Sequence, residues 1–204
     1  GHGNGDIASN FVSDCVGAAI ENTDSINGEF LDLCFDTAQK MLMEEKYKNN
    51  LNSIKTTLVL FLVTGKTARW GHIGDSRLYF FRDGKILKRT IDHSVPQMLA
   101  LSGKIKEKEI RHHPQRSVLL RAMGAEWDEP AYEIDEQNMS IRKGDSFLLC
   151  TDGFWEWIDE KVMIKIIKKK LSAYDTLQEM TKEVKLNGHG KDMDNFSAIF
   201  IDIK

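Results

Sequence analysis

The chain has 204 residues, of which 41% are hydrophobic and 29% are charged, the composition of an ordinary globular protein. Its 28 basic and 31 acidic side chains give a net charge of -3, which argues against a general nucleic-acid binder because such proteins are markedly basic. No run of about eighteen apolar residues occurs, so we predict no membrane-spanning segment.

The first quarter of the chain is predicted to be helical. Within residues 6–22, apolar residues recur at helical spacing and predict an amphipathic helix that packs one broad stripe inward. They are Ile7, Phe11, Cys15 and Ala18, with Val12, Val16 and Ile20 beside them. The dipeptide Asn27-Gly28 then interrupts the pattern, and a second helix is predicted to end near residues 49–50. The apolar face of this second helix is predicted to contain Phe30, Leu33, Cys34, Ala38, Met41 and Leu42.

The middle of the chain changes to short runs rich in β-branched and aromatic residues. Residues 57–63, 68–73, 78–81 and 85–90 read as strands. Turn residues separate the first strand from the second, at Thr64-Gly65-Lys66, and the third strand from the fourth, at Asp83-Gly84. The pattern therefore predicts an antiparallel β meander.

The second half of the chain returns to mixed helices and strands. We predict short helices over residues 94–101, 106–113 and 116–123, and strands over 132–135 and 146–151. Two further helices, 159–171 and 173–186, precede a final strand over 196–201. Because helices and strands come in blocks, the predicted class is α+β with mainly antiparallel sheet, and residues 1–204 are predicted to form one domain.

Three aspartates stand at the ends of predicted apolar strands. Asp75 interrupts two strands, Asp152 follows the run at 147–150, and Asp194 precedes the last strand. An ionised carboxylate beside a core is costly, and several together repel one another unless a cation lies between them. Oxygen ligands without histidine or cysteine favour magnesium or manganese over zinc. Each aspartate taken alone is equally compatible with a turn or a strand cap.

The motifs around these aspartates occur together and in a recognisable order. They are Gly1-His2-Gly3, Thr56-Thr57-Leu58, Gly74-Asp75-Ser76-Arg77, Thr151-Asp152-Gly153 and Asp194-Asn195. Residues 92–124, the segment we name the flap, add Asp92-His93-Ser94, Ser102-Gly103-Lys104-Ile105, His113-Pro114-Gln115-Arg116 and Arg121-Ala122-Met123-Gly124. The whole chain thereby resembles the metal-dependent, type 2C protein serine/threonine phosphatases, and in particular their bacterial branch.

The resemblance implies a fold, an activity and a set of site residues. The implied fold is a four-layer sandwich of two antiparallel β-sheets flanked by helices. The implied activity is hydrolysis of phosphoserine and phosphothreonine in proteins by water activated between two divalent cations, manganese or magnesium. Asp152, Asp194 and the Gly1 carbonyl match metal ligands, and Asp75 matches a residue that joins Asp152 in holding a third cation. His2 matches the proposed proton donor to the leaving group, although a flexible terminal histidine is the alternative.

The sequence also departs from the family pattern. Members of the family carry an aspartate directly before the glycine matched by Gly1, and two earlier strands with a phosphate-binding arginine and a further acidic residue. We therefore expect the sequence to be N-terminally incomplete. The missing bridging aspartate leaves open an alternative function, a non-catalytic phosphatase-like module that binds phosphoproteins or acts as a scaffold.

The remaining expectations concern location and partners. Cys15, Cys34 and Cys150 are widely spaced within apolar segments, which predicts reduced, buried thiols and a cytoplasmic protein. The resemblance implies phosphoprotein substrates and a cognate serine/threonine kinase whose action the enzyme would reverse.

Overall fold

A computed structural model describes residues 4–23, 29–51, 54–135 and 138–204. The strands are β1 Leu58–Thr64, β2 Thr67–Ile73, β3 Arg77–Arg82, β4 Lys85–Arg89, β5 Glu133–Ile134, β6 Met139–Ser140, β7 Ser146–Cys150 and β8 Ala198–Asp202. The α-helices are α1 Gly5–Glu21, α2 Phe30–Lys48, α3 Val95–Leu101, α4 Asp152–Trp155, α5 Glu160–Ile167 and α6 Ala173–Gly188, and Glu107–His112 form a 3-10 helix.

The chain divides into two compact units. The first consists of Gly1–Gly74 and Leu120–Met139, and the second of Asp75–Leu119 and Ser140–Lys204. Each unit contains an antiparallel sheet with helices, so the predicted α+β class with two antiparallel sheets is confirmed. The part of the chain that the structure describes holds no helix with the length and apolarity needed to cross a bilayer.

The first unit packs two long helices with a sheet in which β2 lies between β1 and β5. Gly71 of β2 permits the close packing of α2, because a β-carbon at this position would lie 2.7 Å from Cε2 of Phe35. The helices bury most of the predicted apolar positions of α2 and the predicted Cys15 of α1, but Ile7 is 46% exposed and Leu33 is 55% exposed. Both helices have apolar residues on more than one face, so spacing alone did not identify every buried position. The apolar residues that the two helices bury are Ala8, Val12, Cys15, Val16, Phe30, Leu31, Cys34, Phe35, Ala38 and Leu42.

The second unit is built on a sheet with strand order β4-β3-β7-β8, antiparallel throughout. Strand β7 is central, with Arg77 opposite Cys150 on one side and Cys150 opposite Ala198 on the other. One side of this sheet contributes to a core with α4, α5 and α6, in which Phe154 and Met180 are fully buried. The register of β7 therefore fixes which ends of β3 and β8 meet its own end.

Residues 116–123 do not form the helix that the sequence predicted. Leu119 forms an isolated antiparallel bridge with Ser94, and Met123 forms one with Thr56. The Met123 amide donates to the Thr56 carbonyl at 2.9 Å, and the Thr56 amide donates back at 3.2 Å. Hydrogen bonds to residues distant in sequence thus replace the local helical ones, an outcome that side-chain periodicity does not reveal.

Two other local differences concern the second unit. The helix predicted over 159–171 ends at Ile167, and Lys170 adopts a positive φ of 54° soon after. The sequence did not predict the short helix α4, which begins at Asp152. The three cysteines are free and buried, in agreement with the prediction of reduced thiols.

Candidate metal centre

The three strand-end aspartates lie at the same edge of the second unit's sheet. Asp75 lies two residues before β3, Asp152 two residues after β7, and Asp194 four residues before β8. Because neighbouring strands are antiparallel, the start of β3, the end of β7 and the start of β8 meet at one edge. Strand β7 lies between β3 and β8, so Asp152 lies between the other two aspartates, with a strand spacing of about 4.8 Å on either side.

Close contacts, including two hydrogen bonds, hold the segments that carry Asp152 and Asp194 together. The Thr151 amide donates to the Ser197 carbonyl at 3.1 Å, and the Ser197 amide donates to Thr151 Oγ1 at 3.1 Å. Gly153 packs directly against the segment before β8, since a β-carbon there would lie 2.4 Å from the Asn195 carbonyl oxygen. The absence of a side chain at position 153 allows this approach.

The carboxylates of Asp152 and Asp194 are oriented by similar local hydrogen bonds. Asp152 Oδ1 accepts from the Gly153 amide at 2.8 Å, and Asp194 Oδ1 accepts from the Asn195 amide at 2.9 Å. Each of these hydrogen bonds is accepted by Oδ1, so the Oδ2 atoms of Asp152 and Asp194 take no part in them. Asp194 is exposed, Asp152 is half-buried and Asp75 is buried, with 7% exposure. The three carboxylates therefore range from solvent-exposed to buried along this edge of the sheet.

Electrostatic repulsion links the three side chains. Burial raises the pKa of Asp75 well above its ordinary value, and the charges of Asp152 and Asp92 raise it further. Burial also raises the pKa of Asp152, with a further contribution from Asp194. Asp152 thus repels the carboxylates of Asp75 and Asp194, as expected because β7 lies between β3 and β8.

This arrangement fits divalent cations at the sheet edge. Repulsion among partly buried carboxylates is relieved by a cation, and an all-oxygen donor set suits magnesium or manganese. The three aspartates do not form a trio whose ligand oxygens all lie within 4.8 Å of one another. The electrostatic coupling instead pairs Asp75 with Asp152 and Asp152 with Asp194. Gly1 and His2, the other predicted site residues, lie outside the residues that the structure describes.

A buried polar cluster lies behind Asp75. Arg77 is 2% exposed and makes a two-pronged ion pair with Asp92, the first residue of the flap, at 2.8 and 2.6 Å. Its guanidinium lies 3.4 Å from the ring centre of Trp155. The Trp155 indole N–H in turn donates to the Asp75 carbonyl at 2.9 Å. The sequence did not predict this hydrogen bond, because its two residues are 80 positions apart in the chain.

Glu156 is a second residue that the sequence did not identify. It lies one helical turn after Asp152, is 8% exposed, and accepts a hydrogen bond from Arg116 Nε at 3.2 Å. Burial, with repulsion from Asp152, raises its pKa to about 7 although Arg116 acts in the opposite direction. The i, i+4 spacing of Asp152 and Glu156 was the available signal, since residues so spaced share a helix face.

A polar cavity of about 210 Å³ lies beside Glu156. It is also lined by His112 of the 3-10 helix and by Trp157, whose rings have centres 5.8 Å apart. The Lys191 amine lies 5.0 Å from the Trp157 ring centre at the same cavity. The cavity therefore brings together an imidazole, a carboxyl group and an amine, from His112, Glu156 and Lys191.

Comparison with known proteins identifies the class to which this fold and site belong. Residues 2–187 match the family model described as protein phosphatase 2C. The match covers most of the sequence, and the chain therefore belongs to the protein phosphatase 2C family.

The individual relatives are bacterial proteins. The serine/threonine protein phosphatase PstP of Mycobacterium tuberculosis is 29% identical over 208 residues, which cover all of this chain and 38% of PstP. The serine/threonine phosphatase stp of Listeria welshimeri is 26% identical, covering 99% of this chain and 80% of that protein. The chain thus spans little more than a third of the length of the first relative and most of the second.

Solved structures agree with the fold. The crystal structure of the M. tuberculosis phosphatase PstP/Ppp superposes with a TM-score of 0.83 and 26% identity, covering all of this chain and 84% of the crystallised one. The PstP catalytic domain in complex with two manganese ions superposes with a TM-score of 0.77 and 23% identity, covering 99% and 84%. These superpositions extend the similarity over essentially every residue of the chain.

Proposed function

We propose that this protein is a metal-dependent phosphatase that hydrolyses phosphoserine and phosphothreonine in proteins. The observation that carries the proposal is the placement of Asp75, Asp152 and Asp194 at adjoining strand ends of one sheet. Its membership of a phosphatase family and its serine/threonine phosphatase relatives support the same activity. The two compact units would then be parts of one catalytic domain, since the family match runs through both.

The proposed ligands are the three aspartates and the Gly1 carbonyl. Asp152 and Asp194 would hold a cation pair together with Gly1, and Asp75 would share a third cation with Asp152. Manganese and magnesium are the proposed ions, because the side-chain donors are carboxylates and because a structurally similar phosphatase domain binds two manganese ions.

The chain's own residues would orient and neutralise the reacting groups. Bound divalent cations lower the pKa of a water molecule and offset negative charge on a phosphoryl group. The Gly153 and Asn195 amides each hold one carboxylate oxygen of Asp152 and Asp194, which would leave the other oxygen for such ions. His2, by its place in the motif, would protonate the leaving serine or threonine oxygen, a role that suits the pKa range of imidazole.

The proposed substrates are proteins that serine/threonine kinases phosphorylate. One such kinase would be the cognate partner of this phosphatase. A cytoplasmic location is proposed as well, and it is supported by three free, buried cysteines.

Hydrolysis of a phosphothreonine peptide and of para-nitrophenyl phosphate, each with and without manganese, tests the function. We expect manganese-dependent turnover that falls roughly a hundred-fold or more in Asp152→Asn and Asp194→Asn, because even residues behind a metal ligand contribute 10- to 100-fold. Asp128→Asn, at an exposed aspartate outside the proposed ligand set, is the matched control. Binding of the phosphopeptide without hydrolysis would instead support the non-catalytic module, and undiminished turnover in both asparagine variants would refute the site.

A further inference from the structure

The hydrogen bond between Trp155 and Asp75 joins two of the proposed ligand segments. Trp155 is 2% exposed, and its indole N–H donates to the main-chain oxygen of Asp75 at 2.9 Å. Trp155 is the last residue of α4, and Asp152 is the first. One turn of helix therefore carries one proposed ligand at its start and holds the main chain of another from its end.

The indole ring is itself fixed in place. Arg77 stacks on it at 3.4 Å, and that guanidinium is anchored by Asp92 and by the Tyr79 hydroxyl, which accepts from Arg77 at 2.9 Å. Arg111 of the 3-10 helix lies 5.7 Å from the same ring centre. A buried ring held by a charged, hydrogen-bonded neighbour has little freedom to rotate.

The Asp75 segment needs such a restraint because the local electrostatics act against it. Asp75 lies beside Asp152 and Asp92, and burial removes the water that would screen their charges. Without an anchor, repulsion favours movement of the segment before β3 away from Asp152. A neutral donor on the main-chain oxygen holds the segment while leaving the carboxylate available.

We propose that Trp155 is a positioning residue that holds Asp75 within reach of Asp152, so that the two carboxylates can share a divalent cation. The inference rests on the proposed function, because it takes Asp75 and Asp152 as ligands. It adds that the affinity for this cation depends on the indole N–H, in addition to the carboxylates themselves.

The chain offers a matched pair of tryptophans for the test. Trp155 and Trp157 are both buried and two residues apart, but among the described residues the Trp157 indole N–H finds no hydrogen-bond partner. Phenylalanine at either position keeps an aromatic ring and removes one N–H. Removal of the Trp155 N–H breaks the bond to Asp75, whereas removal of the Trp157 N–H breaks no hydrogen bond that the described part of the structure contains.

Manganese binding, measured by calorimetry and by electron paramagnetic resonance, is the readout. We expect Trp155→Phe to weaken one class of manganese site about ten-fold, the usual effect of losing a residue that orients a ligand. Trp157→Phe should bind manganese as the wild type does. In an Asp75→Asn background, Trp155→Phe should weaken binding no further, because the ligand that it positions is already lost.

Different outcomes of these measurements would contradict the role of Trp155 and the metal site itself. Equal manganese binding by Trp155→Phe and Trp157→Phe, or additive losses with Asp75→Asn, would overturn the role of Trp155 alone. Unaltered manganese binding by Asp152→Asn would overturn the proposed site itself.

If Trp155→Phe does not fold, the wild-type protein still permits the test. Titration with diamagnetic magnesium should shift the ¹⁵N-indole signal of Trp155 and leave that of Trp157, assigned with Trp157→Phe, in place. A Trp155 signal that does not move while magnesium binds would refute the proposal.

Discussion

Glu156 shows how a single side chain can acquire unusual proton affinity next to the candidate metal centre. Its carboxyl is buried, lies one helical turn from Asp152, and is only partly compensated by Arg116. Desolvation is the largest of these influences, and the pKa rises from 4.5 to about 7. Near neutral pH this residue can thus be protonated, unlike an ordinary surface glutamate.

The stability of the metal-free protein should reflect this proton. Between about pH 4.5 and 7 the native state holds a proton on Glu156 that the unfolded state has released, so the stability contributed by Glu156 falls as pH rises. The difference in unfolding free energy between the wild type and Glu156→Gln should therefore decline through this window, by less than the limit of ~1.4 kcal/mol per pH unit for one proton. Urea unfolding in the presence of a metal chelator, at several pH values, measures this difference in free energy. A difference that does not change with pH would contradict the raised pKa of Glu156.

At the level of elements, the site depends on how closely α4 approaches the segment before β8. Thr151 and Ser197 bond the two segments, and Gly153 leaves room for the main chain at 194–195. These contacts hold the start of α4 close to the segment before β8, and with them Asp152 close to the segment of Asp194.

Gly153→Ala should disturb this approach. Its new methyl group would lie 2.4 Å from the Asn195 carbonyl oxygen and 2.9 Å from that of Asp194, so one segment must move. We expect phosphatase activity to fall about a hundred-fold, since displacements of about 1 Å have such effects. Gly17→Ala is the control: it has open space in α1 and should keep activity while adding up to about 1 kcal/mol of stability. Wild-type activity in Gly153→Ala would show that the approach is unimportant.

At the level of the whole molecule, all three proposed carboxylate ligands belong to one of the two compact units. That unit contains Asp75–Leu119 and Ser140–Lys204. The three candidate ligands therefore belong to the same unit as the sheet β4-β3-β7-β8, its helices and much of the flap. A cation bound by its native state and not by its unfolded state stabilises it through mass action.

Manganese should therefore raise the thermal unfolding midpoint. At a concentration one hundred times the dissociation constant the gain is about 2.7 kcal/mol, or roughly 5–10 °C for a chain of this size. Differential scanning calorimetry should show this increase in the wild type and in Asp128→Asn, and its loss in Asp152→Asn. An equal increase in all three proteins would place manganese binding elsewhere.

Much of the local structure could be predicted from the sequence. Strands β1 to β4 were recognisable because their side-chain pattern and turn residues are local signals, as Asp83-Gly84 illustrates. The segment at 116–123 was mispredicted because its hydrogen bonds go to Ser94 and Thr56, far away in the chain. The exposure of Ile7 and Leu33, which the spacing placed on the buried faces of α1 and α2, depended likewise on the partner surface.

The sequence by itself determined the α+β class, the presence of carboxylates at strand ends and the resemblance to a phosphatase family, because residue spacing and motif order are properties of the chain alone. The tertiary structure decided that β7 lies between β3 and β8, which makes Asp152 the neighbour of both Asp75 and Asp194. It also decided that the Trp155 indole reaches Asp75 across 80 residues. Strand order and long-range hydrogen bonds arise from packing among distant segments, and no local pattern records them.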